Sequence, residues 1–162
     1  MDKKRPEKRI KDLMLHLKAL QQISPQKKAM EGVVLFDDRG DTPMISLVLV
    51  VDKVQGKEEI VGILSLDDIL NHMESAEQPV EELPIFWQGQ FHEECLAVLD
   101  RPVGEIMSPV THVIRQSGTL TEAVHLMNSR CLDWLLVVEG EEVVGILLKK
   151  ALLQEVFAIA RG

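Results

Sequence analysis

The segment Val61–Leu70, VGILSLDDIL, decides the fold because the chain repeats much of it near its C-terminus, as VGILLKKALL at Val144–Leu153. Both copies begin with Val-Gly-Ile-Leu and end with Leu. A recurring segment of this kind indicates an architecture built from repeated supersecondary units. The sequence therefore predicts that the chain contains the same unit twice.

The similarity extends to the residues before each copy. An apolar run that ends in an acid precedes each of them, SLVLVVD at Ser46–Asp52 and DWLLVVE at Asp133–Glu139. Short apolar runs rich in Val and Leu are typical of buried strands. A polar turn containing glycine separates each run from its Val-Gly-Ile-Leu strand, so each unit is predicted to contain a β-hairpin.

Helices are predicted on both sides of each hairpin. The residues after it follow a helical pattern, LDDILNHME in the first unit and KKALLQEVFAIA in the second. Before the first hairpin, Ser24 and Pro25 predict the N-cap and first position of a helix in SPQKKAMEGVVLF. Before the second, Thr119 and Glu122 predict a capping box in TLTEAVHLMNSR.

Each unit therefore has the order β-α-β-β-α, with its first strand at 19–23 or 111–115 and a hydrophobic lead-in before it, RIKDLM or VGEIM. A sheet with helices on one face leaves the other face apolar, so two units are expected to pack sheet to sheet with pseudo-two-fold symmetry. The predicted fold class is α+β. The predicted segments are a basic tail at 1–9, repeat 1 at 10–74, a connector with a short helix at 75–101, and repeat 2 at 102–160.

Composition excludes several classes of partner. A formal net charge of -8 argues against nucleic-acid binding, which draws its affinity from Lys and Arg on phosphates. The longest apolar run, MISLVLVV at Met44–Val51, falls well short of the roughly 20 residues of a membrane span. The basic N-terminus lacks the apolar core and cleavage site of a secretory signal. We therefore expect a cytoplasmic protein that binds neither nucleic acid nor membrane.

This arrangement resembles a tandem pair of CBS domains, the Bateman module. The resemblance rests on the two lead-ins, the helix TLTEAVHLM, the strands ending in VVD and VVE, and VGILSLDDIL. Within the last of these, Gly62, Ser65 and Asp68 fit the family pattern Gly-apolar-apolar-Ser/Thr-x-x-Asp. Members of the family are typically sensors rather than enzymes, and their ligands are adenosine-containing molecules such as AMP, ADP, ATP or S-adenosylmethionine. The resemblance thus implies a regulatory module that requires no cofactor, forms a homodimer, and acts on a partner protein of unknown identity.

The resemblance also implies that the ligand lies in a cleft between the repeats and is held mainly by repeat 1. Asp68 would accept hydrogen bonds from the ribose hydroxyls, and Ser65 would lie near the ribose or phosphate; a carboxylate suits this task because charged acceptors form stronger hydrogen bonds. The walls of the cleft would come from Ile45, Ser46, Leu47 and Ile63. The same Ser and Asp also form a helix cap that needs no ligand. A ligand-free structural module for dimerisation or partner docking is therefore the alternative function.

Repeat 2 has lost this pattern. Leu148 and Ala151 occupy the positions of the Ser and the Asp, and Lys149 and Lys150 fall in the first turn of the following helix. The helix macrodipole disfavours cations there. The two lysines either point into water or contact the phosphates of a bound nucleotide. We expect one ligand site per chain, centred on Asp68.

Other chemistry has less support in the sequence. His92 and Cys95 are three residues apart, but no second pair completes the three or four ligands that zinc requires. The histidines, acids and hydroxyls form no order typical of a nucleophile with its base. We therefore predict neither a metal site nor catalytic residues. The connector aromatics Phe86 and Trp87 are expected to pack on the domain or on a second subunit.

Overall fold

The computed structural model describes residues 6–36, 47–73 and 87–162. Within these ranges the strands form two four-stranded sheets with helices beside them, which confirms the predicted α+β class. The chain divides into two compact units, a first unit of Leu20–Val110 and a second unit of Met1–Ala19 with Thr111–Gly162. The described residues contain no helix with the length and apolar character of a transmembrane segment.

The first unit is built on a long hairpin. Its elements are β2 (Gln22–Ile23), α2 (Ala29–Val33), β3 (Leu47–Val54), β4 (Lys57–Ser65), α3 (Leu66–Asn71), α4 (Gln90–Leu99), α5 (Val103–Ile106) and β5 (Ser108–Pro109). The sheet order is β2-β3-β4-β5, with β2 parallel to β3 and the other pairs antiparallel. The hairpin turn uses Gln55 and Gly56, both with positive φ, which matches the twist of the flanking strands. Val48, Val50 and Leu64 pack with helix residues in one apolar core.

The second unit repeats this plan. Its elements are α1 (Ile10–Leu13), β1 (Leu15–His16), a 3-10 turn (Leu17–Ala19), β6 (Val113–Arg115), α6 (Leu120–Arg130), β7 (Trp134–Glu139), β8 (Glu142–Leu148) and α7 (Lys149–Ala160). The sheet order is β1-β8-β7-β6. Leu135, Val137 and Leu147 are fully buried and pack against Ala123 and Met127 of α6 in a second apolar core.

Each sheet gains its fourth strand from the lead-in of the other sequence repeat, which from here on includes the two residues that follow RIKDLM or VGEIM. The lead-in of repeat 1 forms α1 and β1 in the second unit, where β1 pairs with β8. The lead-in of repeat 2 forms α5 and β5 in the first unit, where β5 pairs with β4. The compact units therefore differ at their edges from the sequence repeats at 10–74 and 102–160. The sequence predicted three strands in each sheet and missed the fourth, which comes from the other repeat.

Tertiary hydrogen bonds override one predicted helix start. Ser24 is not an N-cap, because α2 begins only at Ala29 and has Lys28 at its N-cap. The residues between them lie alongside residues 101–104 instead: the Ala29 amide donates to the Arg101 carbonyl (2.8 Å), and the Val103 amide donates to the Lys27 carbonyl (2.8 Å).

The other helix starts agree with the predictions in part: the predicted N-cap of α6 is present, but the reciprocal bond from Glu122 that would complete its capping box is not among the described hydrogen bonds. Thr119 caps α6 by accepting from the Glu122 amide at 3.2 Å. A helix is also present in the predicted connector, at Gln90–Leu99.

Candidate functional site

The candidate site is built where β4 ends and α3 begins. Ser65 is the last residue of β4 and the N-cap of α3, and Asp68 is the third residue of that helix. The Ser65 hydroxyl accepts from the Asp68 amide at 3.3 Å. In return, Asp68 Oδ2 accepts from the Ser65 amide at 2.8 Å and from the Ser65 hydroxyl at 2.9 Å. The two residues therefore form a reciprocal capping box, as one of the two sequence interpretations predicted.

A third group reaches the same carboxylate from β5. The Ser108 hydroxyl donates to Asp68 Oδ1 at 2.5 Å, across forty positions of sequence. The structure thus adds to the site a residue that the sequence prediction missed. The sequence contained a signal for this residue. When the lead-ins are aligned at Met14 and Met107, the next residue is the apolar Leu15 in one and the polar Ser108 in the other. The helix positions Ala151 and Asp68 differ in the same way.

Several predicted site residues share one face of the first sheet. Successive strand residues point to opposite faces, and Val48 and Leu64 belong to the core that the helices cover. Residues next to these in sequence therefore lie on the opposite face, and cross-strand pairing joins them: Leu47 is opposite Ser65, and Ile63 is opposite Ser108. The described residues brought together on this face are Leu47, Ile63, Ser65 and Ser108.

Burial differs among the predicted residues. Asp68 is only 6% exposed and Ile63 is fully buried, whereas Leu47 and Ser65 are half-buried. The predicted wall residues Ile45 and Ser46 lie outside the described residues, as does Phe86 of the connector. The other connector aromatic, Trp87, is about half exposed, at 51%.

The Asp68 carboxylate is largely occupied by its own chain. Its two oxygens offer about four lone-pair directions, and three hydrogen bonds already use them: two at Oδ2 from Ser65 and one at Oδ1 from Ser108. A ligand that approaches Asp68 therefore finds one open acceptor direction, at Oδ1. A ribose, which presents two adjacent hydroxyls, would have to replace at least one of these bonds.

The equivalent place in the second unit is apolar. Leu148 ends β8 at the position of Ser65, and Ala151 follows in α7 at the position of Asp68. Strand register completes the comparison, because Leu15 pairs with Ile146 as Ser108 pairs with Ile63. All three polar groups of the first site are thus replaced by hydrocarbon in the second unit.

The lysines that follow Leu148 are both exposed. Lys149 Nζ lies 3.9 Å from Asp133 Oδ1, at the outer limit for an ion pair. Solvent screens such exposed pairs strongly, so this contact would not hold Lys149 away from a phosphate. Contact of Lys149 and Lys150 with ligand phosphates stays a prediction, and a double alanine variant that binds AMP unchanged would contradict it.

The described part of the structure contains no candidate metal site. Among residues 6–36, 47–73 and 87–162, no cluster of three or more His, Cys, Asp or Glu side chains could hold a metal ion. His92 and Cys95 both lie on α4, with His92 exposed and Cys95 half-buried.

Comparisons with known proteins identify the fold. Residues 103–158 match the family model of the CBS domain. The chain matches none of the curated protein sequences. Among solved structures, the CBS-pair protein CBSX2 of Arabidopsis thaliana has a TM-score of 0.66 and 20% identity, with 96% of this chain and 99% of that chain covered.

Two further structures show the same likeness. CBSX2 in complex with AMP has a TM-score of 0.62 and 19% identity over 94% of this chain and 98% of that chain. A Methanocaldococcus jannaschii protein, proposed to be an archaeal homologue of g-AMPK, has a TM-score of 0.63 and 17% identity. That match covers 92% of this chain and 50% of the other. At such identities, the likeness establishes a shared fold.

Proposed function

Because residues 103–158 form a CBS domain and the chain has the fold of a CBS pair, we propose that this protein is a regulatory module that senses an adenosine-containing ligand. The ligand binds at the Ser65–Asp68 site of the first unit, and binding is signalled to a partner protein. The observation that carries the proposal is the position of the Asp68 carboxylate. Asp68 is only 6% exposed, and hydrogen bonds hold its carboxylate beside Ser65 at the end of β4.

Ribose recognition follows from the chemistry of this carboxylate. Two adjacent hydroxyls can donate to one carboxylate, and hydrogen bonds to a charged acceptor are stronger than neutral ones. On the surrounding face, the half-buried Leu47 offers an apolar contact for a base, whereas Ile63 is fully buried. Ligands of the class AMP, ADP, ATP or S-adenosylmethionine all contain the required ribose diol.

The comparisons support this class of function. CBS pairs are in general regulatory modules rather than enzymes, and one structure with this fold holds AMP. These findings favour an adenine nucleotide as the first ligand to test. They also favour a regulatory role over a reaction on the ligand.

Thermal unfolding of the full chain with AMP, ADP, ATP, S-adenosylmethionine and NADH tests the proposal. A ligand present at 100 times its dissociation constant should add about 2.7 kcal/mol to the free energy of unfolding. Asp68→Ala should abolish this increment. Thr119→Ala is the matched control, because it removes an N-cap from α6 in the other unit and should leave the ligand increment unchanged.

The ligand-free structural module is the second candidate, and one observation favours it. Three hydrogen bonds from Ser65 and Ser108 already satisfy most of the Asp68 carboxylate. In this case Asp68→Ala lowers stability but no ligand changes the unfolding temperature. An equal ligand increment in wild type and Asp68→Ala would also reject the Asp68 site.

A further inference from the structure

We propose that Ser108 sets the affinity of the Asp68 site, because its hydroxyl occupies the carboxylate oxygen that a ribose hydroxyl needs. The inference rests on the proposed function and extends it to a residue outside the Ser65–Asp68 motif. Ser108 acts as an internal competitor, because its hydroxyl donates to the same Asp68 oxygen that a ribose hydroxyl would use. The ligand must exchange with it.

The competition falls on Oδ1 because Oδ2 is committed to the helix cap. Oδ2 receives both the amide and the hydroxyl of Ser65, and breaking these bonds would disrupt the start of α3. Oδ1 receives the Ser108 hydroxyl alone among the described groups. A ribose diol has two donors and finds one open direction at this oxygen. The Ser108 bond is therefore the one whose loss costs the fold least.

The backbone holds the Ser108 hydroxyl at this place. Ser108 pairs with Ile63, and the adjacent Pro109 pairs with Gly62. A residue before proline is restricted to extended backbone, so the conformation of Ser108 is limited even before it pairs. Gly62 permits the close approach, because a Cβ there would lie 2.7 Å from the Ser108 carbonyl oxygen. The hydroxyl thus returns to Asp68 whenever a ligand leaves.

The second unit provides an internal comparison. Leu15 occupies the register position of Ser108, and Ala151 occupies the position of Asp68. The serine on the lead-in strand and the carboxylate on the helix are therefore present together in one unit and replaced together in the other. The joint presence of the serine and the carboxylate is expected if the serine acts on the carboxylate. Strand pairing alone would not require a serine at this position.

Isothermal titration of the full chain with AMP and with 2′,3′-dideoxy-AMP tests the inference. A hydrogen bond to a charged acceptor contributes a factor of about 10 to 100 in an equilibrium constant. Ser108→Ala should tighten AMP binding by about that factor. It should leave 2′,3′-dideoxy-AMP binding unchanged, because this ligand has no ribose hydroxyl to compete with Ser108. A general effect of the substitution on the structure would move both ligands alike.

Two further variants guard against misfolding of Ser108→Ala. Ser108→Thr keeps a hydroxyl and should bind AMP as wild type does, whereas Ser108→Cys keeps the size but donates weakly and should bind AMP more tightly. Ser129→Ala removes an exposed serine hydroxyl from α6 and should change nothing.

The outcomes separate this inference from the proposed function. If wild type binds AMP through Asp68 but Ser108→Ala binds it equally or more weakly, the competition is refuted and the sensing function stands. If neither wild type nor Ser108→Ala binds AMP or any other ligand of the panel, the proposed function fails and the inference fails with it. AMP binding by Ser108→Ala alone would support the competition in its strongest form.

Discussion

Asp68 connects a strand end, a helix start and a distant strand through one side chain. Oδ2 accepts the two Ser65 groups, and Oδ1 accepts the Ser108 hydroxyl. A buried polar group is stable only when it is hydrogen-bonded. The carboxylate therefore stabilises the empty protein through the contacts that it would partly exchange for a ligand.

Asp68→Ala should lower the free energy of unfolding by about 1–3 kcal/mol in the absence of ligand, because it leaves the Ser65 and Ser108 donors without their acceptor. Thr119→Ala, which removes one N-cap acceptor from α6, should cost about 0.5–2 kcal/mol. Urea unfolding of both variants measures the difference. An Asp68→Ala variant as stable as wild type would show that these hydrogen bonds do not stabilise the protein without ligand.

The sequence identified two of the three polar residues at this site. Ser65 and Asp68 are three positions apart, so a local capping and binding motif reveals them together. Ser108 reaches the same carboxylate only because β5 pairs with β4, and no local pattern specifies a pairing between two-residue and nine-residue strands. The periodicity of a sequence predicts local elements, but it does not predict which distant strands pair.

At the scale of elements, the same close approach requires a glycine in both Val-Gly-Ile-Leu strands. A Cβ at Gly62 would lie 2.7 Å from both the Ser108 carbonyl oxygen and the Met107 sulfur. A Cβ at Gly145 would lie closer still to the Leu15 carbonyl oxygen. Each glycine thus lets a lead-in strand pair closely with its hairpin.

Gly62→Ala and Gly145→Ala should each lower the free energy of unfolding by about 1–3 kcal/mol, the usual cost of overpacking. Gly145→Ala should cost more, because the obstructing atom is a nearer backbone oxygen. The control is Gly56→Asn at a hairpin turn with nothing within 4 Å, since Asn tolerates positive φ. Chemical unfolding that shows all three variants equal to wild type would refute the close pairing.

The start of α7 is poorly matched to its helix dipole. Leu148 cannot cap it, and Lys149 and Lys150 occupy its first turn. Lys150→Glu should raise the free energy of unfolding by about 0.3–1 kcal/mol, because an acid suits a helix N-terminus. Lys150→Gln should have an intermediate effect, and the gain from Glu should fall with added salt. Equal gains from Gln and Glu would exclude the dipole as the cause.

At the scale of the whole molecule, the duplication was evident in the sequence but the exchange of lead-ins was not. The hairpins and most flanking helices follow from apolar patterns several residues long. The lead-in strands Leu15–His16 and Ser108–Pro109 have two residues each, too few for a pattern to indicate a partner. Their pairing depends on which hairpin edge is open, and that is a property of the folded units.

Exposed apolar side chains recur at similar places in both units. Met30 on α2 and Val124 on α6 each follow a fully buried alanine, and they are 47% and 42% exposed. The helices after the hairpins also expose apolar residues, which are Leu66, Leu70, Leu153, Val156 and Phe157. A second copy of this chain carries the same apolar side chains, and packing such helix faces together would remove them from water. We therefore propose that the protein is a homodimer that uses these helices.

Sedimentation equilibrium in the micromolar range should give wild type twice the mass of the 18.2 kDa chain. Phe157 is 53% exposed on α7, and Phe157→Glu should shift the protein towards monomer because burying an unpaired charge at an interface is costly. Gln55→Glu adds the same charge at the exposed hairpin turn of the first unit and should leave the mass unchanged. A wild type that stays monomeric would exclude the dimer. A Phe157→Glu variant that stays dimeric would exclude the use of α7 in the dimer interface.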